Sequence, residues 1–232
     1  MPEQKEASPS AATFRVSVRA LVAFTYFPPD ITPGAGLMEM QAGTRAHRAR
    51  ETAQAEEYEI EKPLRCDVEH SGETVTLFGR MDAYREGDPP CVEEIKLCRE
   101  PPEAPLPDHL AQARLYAAML THSDAVEAVD VRVVYVSEEG EPLRVFAETA
   151  NRGFLRETLL QLLDPWLSFA VAERAHALER DESLRALPFP FPTYRAGQRE
   201  LAVQVYTAIT RKKRLFASLP TGTGKSAAVL FP

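Results

Sequence analysis

The block from Tyr58 to Leu97 constrains the fold of this chain more than any other stretch. "YEIEKPLRCDVEH" and "ETVTLFGRMDAYR" alternate polar and apolar residues on either side of "SGE". Successive side chains on a strand point to opposite faces, so this period of two predicts a β-hairpin. After "EGDPP" comes "CVEEIKL", Cys91 to Leu97, a third strand by its apolar residues. It carries charge where a buried strand should carry none. Glu94 and Lys96, at i and i+2, share one face, while Glu93 points the other way and is expected to be replaceable.

The hairpin's second strand ends in "GRMDAY", which puts Asp82 near its end. If that strand neighbours "CVEEIKL", Asp82 and Glu94 converge on one point. Two carboxylates so close repel each other unless a cation sits between them. Hard oxygen donors with open coordination positions suit Mg²⁺ or Mn²⁺. A neighbouring Lys96 can then hold an attacking water and stabilise developing negative charge, an apparatus for phosphodiester hydrolysis. An isolated E-x-K is more often a surface salt bridge on a half-exposed strand, so its weight comes from its company.

The rest of the chain supplies that company. Residues 1–12 are polar and expected to be disordered. "VSVRALVAFTYF" reads as a strand or, with Ser17 as N-cap, as a short helix, the second being preferred; "PPDITPGAG" predicts a loop and 37–59 a helix. Beyond the third strand come a rigid loop, "PPEAPLP", and a helix, "DHLAQARLYAAML", with Asp108 as its N-cap. "AVDVRVVYVSEEGEPLRVFAE" predicts a second hairpin turning at "EEGE". "NRGFLRETLLQLLDPWLSFAVAERAHALERD" predicts a helix that Pro165 kinks or divides. "PFPFP" (188–192) reads as an interdomain linker, separating a 13–187 domain from a 193–232 segment. That segment predicts a helix over "YRAGQRELAVQVYTAITRKK", a strand over "RLFASLP" and a glycine-rich loop, "TGTGKS".

The order helix, hairpin, E-x-K strand, helix resembles the PD-(D/E)XK nuclease core, specifically its RecB-like branch, over about residues 15–150. That branch carries G-x-x-x-H on the upstream helix, matched by "GTRAH", Gly43 to His47. It carries G-x-x-D before the E-x-K strand, matched by "GRMD", Gly79 to Asp82, and Q-x-x-x-Y on the next helix, matched by "QARLY", Gln112 to Tyr116. The resemblance implies a restriction-endonuclease-like α/β core, a mixed sheet flanked by helices. It implies that His47, Asp82 and Glu94 ligate metal, that Lys96 is the catalytic lysine, and that Gln112 and Tyr116 line the site and position DNA. Arg45, Arg48 and Arg50 suit either backbone phosphates or a solvated helix face, and His109 either a phosphate or a helix cap. Some RecB-like nucleases hold an iron–sulfur cluster through four cysteines, three of them beyond the Q-x-x-x-Y helix. This chain has Cys66, Cys91 and Cys98 and none later, so no cluster is expected.

"LFASLPTGTGKS" is a strand leading into a loop that ends in Lys-Ser. Glycines let backbone N–H groups wrap phosphates, Lys225 would reach the β and γ phosphates, and Ser226 would ligate Mg²⁺. The first position of the strict pattern, normally Gly, is Leu219. "PTGTGKS" with "YRAGQREL" upstream resembles XPD/DinG-type superfamily II helicases. On that likeness Gln198 reads adenine, and Gly222, Gly224, Lys225 and Ser226 belong to an incomplete RecA-like nucleotide site. The expectation is the N-terminal piece of a longer nuclease–helicase that uses ATP only with its missing C-terminal portion.

Composition sets outer limits. A formal net charge of −7 gives no bulk attraction to nucleic acid, so DNA, single-stranded or with free ends, would have to be met by local patches and bound cations. Three cysteines without a CxxC pair point to a reducing compartment, and no apolar run approaches the roughly 18 residues of a spanning helix. A cytoplasmic protein without membrane contact is expected. The reading is a Mg²⁺- or Mn²⁺-dependent DNA nuclease; a DNA-binding module that loads the helicase, with cleavage weak or lost, is the alternative.

Overall fold

The computed structural model describes residues 13–26, 37–122 and 125–231. The expected 1–12 tail and the "PPDITPGAG" loop lie outside these residues. Two compact units divide the chain between Glu173 and Arg174.

The first unit is α/β. Its elements run β1 (Thr13–Ser17), α1 (Val18–Tyr26), α2 (Leu37–Gln54), β2 (Glu59–His70), β3 (Glu73–Arg85), β4 (Cys91–Leu97), α3 (Pro107–Thr121), β5 (Ala128–Val136), β6 (Pro142–Asn151) and α4 (Arg152–Ala186), which runs on into the second unit. The six strands form one mixed sheet in the order β1-β3-β4-β5-β6, with β2 also on β3. The β2–β3 hairpin turns at Ser71 and Gly72, both with positive φ (51° and 79°), the conformation a tight two-residue turn demands.

β3 organises the sheet. One of its edges pairs with β2 along nearly its whole length. The other edge is shared: residues 74–78 pair in parallel with β1, and residues 83–85 pair antiparallel with β4. Between them, residues 79–82, the "GRMD" stretch, have no strand partner on that edge. The chain therefore opens a gap in its sheet where the sequence carries its second motif.

Helices cover both faces. Val92, Val131 and Val133 join Leu115, Met119, Leu155 and Leu163 in the main core, beneath α3 and α4. On the opposite face Ile95, Val134 and Val136 pack with Ala46 of α2. Each such aliphatic side chain contributes roughly 1.5–3 kcal/mol by burial.

Several expectations need correction. α1 begins after Ser17, whose Oγ accepts the Ala20 N–H at 3.1 Å, but the five residues before it form β1, which the local pattern did not announce. α2 stops at Gln54 rather than running to 59. The N-cap of α3 is Leu106; Pro107 supplies the fixed φ of a first helical position, and Asp108 sits inside the first turn, where the helix dipole favours its charge. α4 continues through Pro165, because Leu162, Leu163 and Leu167 on either side of it are all held in the core.

The second unit contains α5 (Gln198–Thr210) and α6 (Lys225–Leu230), with Leu201, Ala202 and Ala228 as its small core. "PFPFP" lies within it: Phe189 stacks on Tyr194 with centroids 4.1 Å apart and meets Phe231 edge-on. "RLFASLP" is not a strand. No described strand pairs with it, and Phe216 is 93% exposed. Among the described residues, no helix is long and apolar enough to cross a membrane.

Candidate active site

The site is built around the gap in β3. Where β4 leaves β3, the Ile95 N–H would lack a strand partner, and the Asp82 carboxylate accepts it instead at 2.8 Å. His47 reaches the same carboxylate from α2, with Nδ1 3.9 Å from Asp82 Oδ2. At Arg80 the backbone N–H donates to the Tyr116 hydroxyl of α3, at 3.3 Å. Tyr116 can come this close only because residue 79 is glycine: a Cβ there would lie 2.7 Å from the ring. Gly79 and Tyr116 thus belong to one contact, which joins two of the sequence motifs physically.

Glu94 and Lys96 share the α3 face of β4. Glu94 is 1% exposed, and neither carboxylate oxygen has a hydrogen-bond partner. Lys96 Nζ stands 2.8 Å from Glu94 Oε1, an ion pair held by charge rather than by hydrogen-bond geometry. Burial, reinforced by the Asp82 charge, pushes the Glu94 carboxyl up to about 8, against the opposing pull of Lys96. The Lys96 ammonium also donates to Gln112 Oε1 at 3.3 Å, so Gln112 fixes the lysine from α3.

The neighbouring groups respond to the same field. Burial lowers the His47 pKa, with Asp82 opposing, and leaves a neutral imidazole at pH 7. Burial, then the Glu94 charge, raises the Tyr116 hydroxyl to about 12, so it stays a phenol. Glu51, one turn beyond His47, is raised by burial and by Glu61 and Asp82.

His47, Asp82, Glu94, Lys96, Gln112 and Tyr116 therefore form one connected constellation. No three His, Cys, Asp or Glu among the described residues stand close enough together to form a metal-binding group as the side chains lie. Arg45 and Arg48 are exposed on α2. His109 is half-buried and turned inward: the Tyr135 hydroxyl accepts the Leu106 N–H at 3.0 Å and shares a hydrogen bond with His109 Nδ1 at 2.9 Å. Burial and Lys96 both lower its pKa.

Two features escaped the sequence. Glu93, expected to be replaceable, is fully buried; Arg50 Nη2 lies 3.1 Å from its Oε1 and Arg132 Nη1 3.3 Å from its Oε2. Arg50 is thereby engaged inside the protein rather than offered to phosphate. Alternation placed Glu93 on the other face correctly, but that face is covered by α2, so facing away from Glu94 did not mean facing water. Arg19, in the first turn of α1, borders the gap beside Asp82 and Tyr116, with no motif around it to mark it.

In the second unit Gln198 is buried, accepts the Arg195 N–H at 3.0 Å and donates to the Gly224 carbonyl at 2.9 Å. Lys225 folds back onto the carbonyls of Leu219 (3.1 Å) and Pro220 (2.8 Å), and Arg195 donates to the Gly222 carbonyl. Ser226 is exposed at the start of α6.

No family model matches the chain, and no curated protein is significantly similar to it. Among solved structures it is distantly similar to one described as the crystal structure of SSO0001, over 71% of this chain and 79% of that one, with 18% identity and a TM-score of 0.48.

Proposed function

We propose that the first unit is a divalent-metal-dependent DNA nuclease of the PD-(D/E)XK kind, hydrolysing phosphodiester bonds of single-stranded or end-bearing DNA. One observation carries the reading: Glu94 is a wholly buried carboxylate with two unbonded oxygens, beside a second carboxylate and a lysine. Burying such a group costs stability, and among the described residues Lys96 is the partner it has, held without hydrogen-bond geometry. The donor set fits Mg²⁺ or Mn²⁺: hard carboxylate oxygens from Glu94 and Asp82 and a neutral imidazole from His47. A bound ion supplies Lewis acidity toward the phosphodiester and lowers the pKa of a bound water.

The chain's own residues do the rest. Lys96, steadied by Gln112, holds the attacking water and offsets charge developing on the phosphoryl oxygens. Tyr116 keeps the β3 backbone in place so that Asp82 stays aimed at the gap. Arg45 and Arg48 are the exposed cations of α2 available to DNA phosphates. The second unit is read as carrying a helicase-type nucleotide-binding segment that acts in DNA processing. There Gln198, Gly222, Gly224, Lys225 and Ser226 would meet a nucleotide, with Lys225 exchanging its loop carbonyls for phosphate.

The test is digestion of end-labelled single-stranded DNA by the full chain. Cleavage should require Mg²⁺ or Mn²⁺, stop with EDTA, and fall roughly 100-fold or more in Lys96→Ala. DNA binding without cleavage and without metal uptake by calorimetry would replace this reading with the DNA-binding module.

A further inference from the structure

Gly43 is left over from the catalytic reading. It lies one helical turn before His47, on the same face of α2. A glycine inside a helix weakens it relative to alanine, so its presence needs a reason. The fold supplies none: its φ is not left-handed, and a Cβ built there meets no described atom within 4 Å. Gly79 is the contrast, since there the space is taken by Tyr116.

The space over Gly43 is where clefts join. One of about 550 Å³ is bordered by Gly43 and Leu97, by Arg19, His47 and Arg48, and by Glu51 and Glu61. A second, of about 690 Å³, is bordered by the same Gly43 and Leu97 together with Arg45, Arg99 and Glu138. A third, of about 440 Å³, shares Arg19 with the first and runs over Asp82 and Tyr116. The three make one groove, from Asp82 past His47, across Gly43, to Arg99. Arg19 is exposed at its centre, with no hydrogen bond or ion pair to any described residue, and its charge is felt at His47, Glu94 and Tyr116.

We propose that this groove is the path of a single nucleic-acid strand, whose sugar–phosphate backbone crosses α2 against Gly43 while Arg19 holds a phosphate beside Asp82. The proposal rests on the nuclease reading and adds to it the route of the substrate and two residues that contact it. A bare helix surface lets a backbone approach closely, and guanidiniums along the route give affinity without reading sequence. A phosphate held by Arg19 next to Asp82 also fixes which bond meets Lys96, since holding a reactant in register is itself rate-enhancing.

The experiment measures binding of a fluorescein-labelled oligonucleotide of about 16 nucleotides to the full chain carrying Lys96→Ala, in Mg²⁺, across salt concentrations. Gly43→Leu should raise Kd about tenfold or more without lowering the melting temperature. Gly43→Ala should raise Kd less and leave the melting temperature equal or higher. Arg19→Ala should flatten the salt dependence by about 0.7 in log Kd per log salt, one phosphate contact on a single strand. A Gly43→Leu protein that binds within about twofold of its parent overturns the path while the nuclease reading stands. A parent that neither binds this strand nor, with Lys96 restored, cleaves it overturns both.

Discussion

Asp82 holds two jobs in one carboxylate. It accepts the Ile95 N–H that the departing strand leaves unpaired, and it faces His47 across the gap. Asp82→Asn keeps an acceptor oxygen and removes the charge; it should abolish cleavage with little loss of stability. Asp82→Ala should abolish cleavage and also cost about 1–3 kcal/mol, because a backbone donor is orphaned; chemical denaturation of the two variants separates the roles. Glu94 gives a pH test. Its folded carboxyl is raised from 4.5 to about 8, so its contribution to stability is present in full below about 4.5 and is lost as pH rises toward about 8. Melting temperatures in EDTA should fall over that window, and Glu94→Gln should flatten the fall. Magnesium or manganese uptake near pH 7 should release a proton, readable in weakly buffered solution. The identities of Asp82, Glu94 and Lys96 were legible because two strand periods placed them; the burial that sets their chemistry was not, since it depends on helices far along the chain.

At the scale of elements, α2 owes its position to an ion pair as much as to its apolar side. Ala46 is its buried contact with Ile95, Val134 and Val136, and Arg50 anchors it to Glu93, which Arg132 of β5 also faces. Glu93→Ala leaves two guanidiniums beside an empty buried site and should cost about 3–5 kcal/mol, a loss that urea unfolding will register. The β2, β3 and β4 strands, α3 and the second hairpin were readable from period and turn residues alone. β1 was not, because five residues show little period and their partner lies far off in sequence. The continuous α4 was not, because a proline's local preference yields to leucines packed on both sides of it. "RLFASLP" failed the other way: an apolar run has strand propensity, but a strand exists only with a neighbour to bond.

For the whole molecule, the two units differ in how much they bury. The first has a sheet covered on both faces, and the second a core of a few side chains around Leu201 and Ala228. The sequence puts its break at the prolines of 188–192, whereas the two compact units divide between Glu173 and Arg174, inside α4. The aromatic contacts of Phe189 with Tyr194 and Phe231 were not legible there, since proline density announces only a break. Removing residues through Ser17 should uncover the edge of β3 at 74–78 together with Leu77 and Leu21, and the product should aggregate, as light scattering on refolding will show. β1 and its partner stretch of β3 lie roughly 60 residues apart, with two helices and β2 between them. Closing that loop costs more chain entropy than closing any hairpin in the sheet, so β1 is expected to dock after the local pairs have formed. On this argument the gap that holds Asp82 gains its second border only when the strand nearest the N-terminus reaches a sheet already assembled.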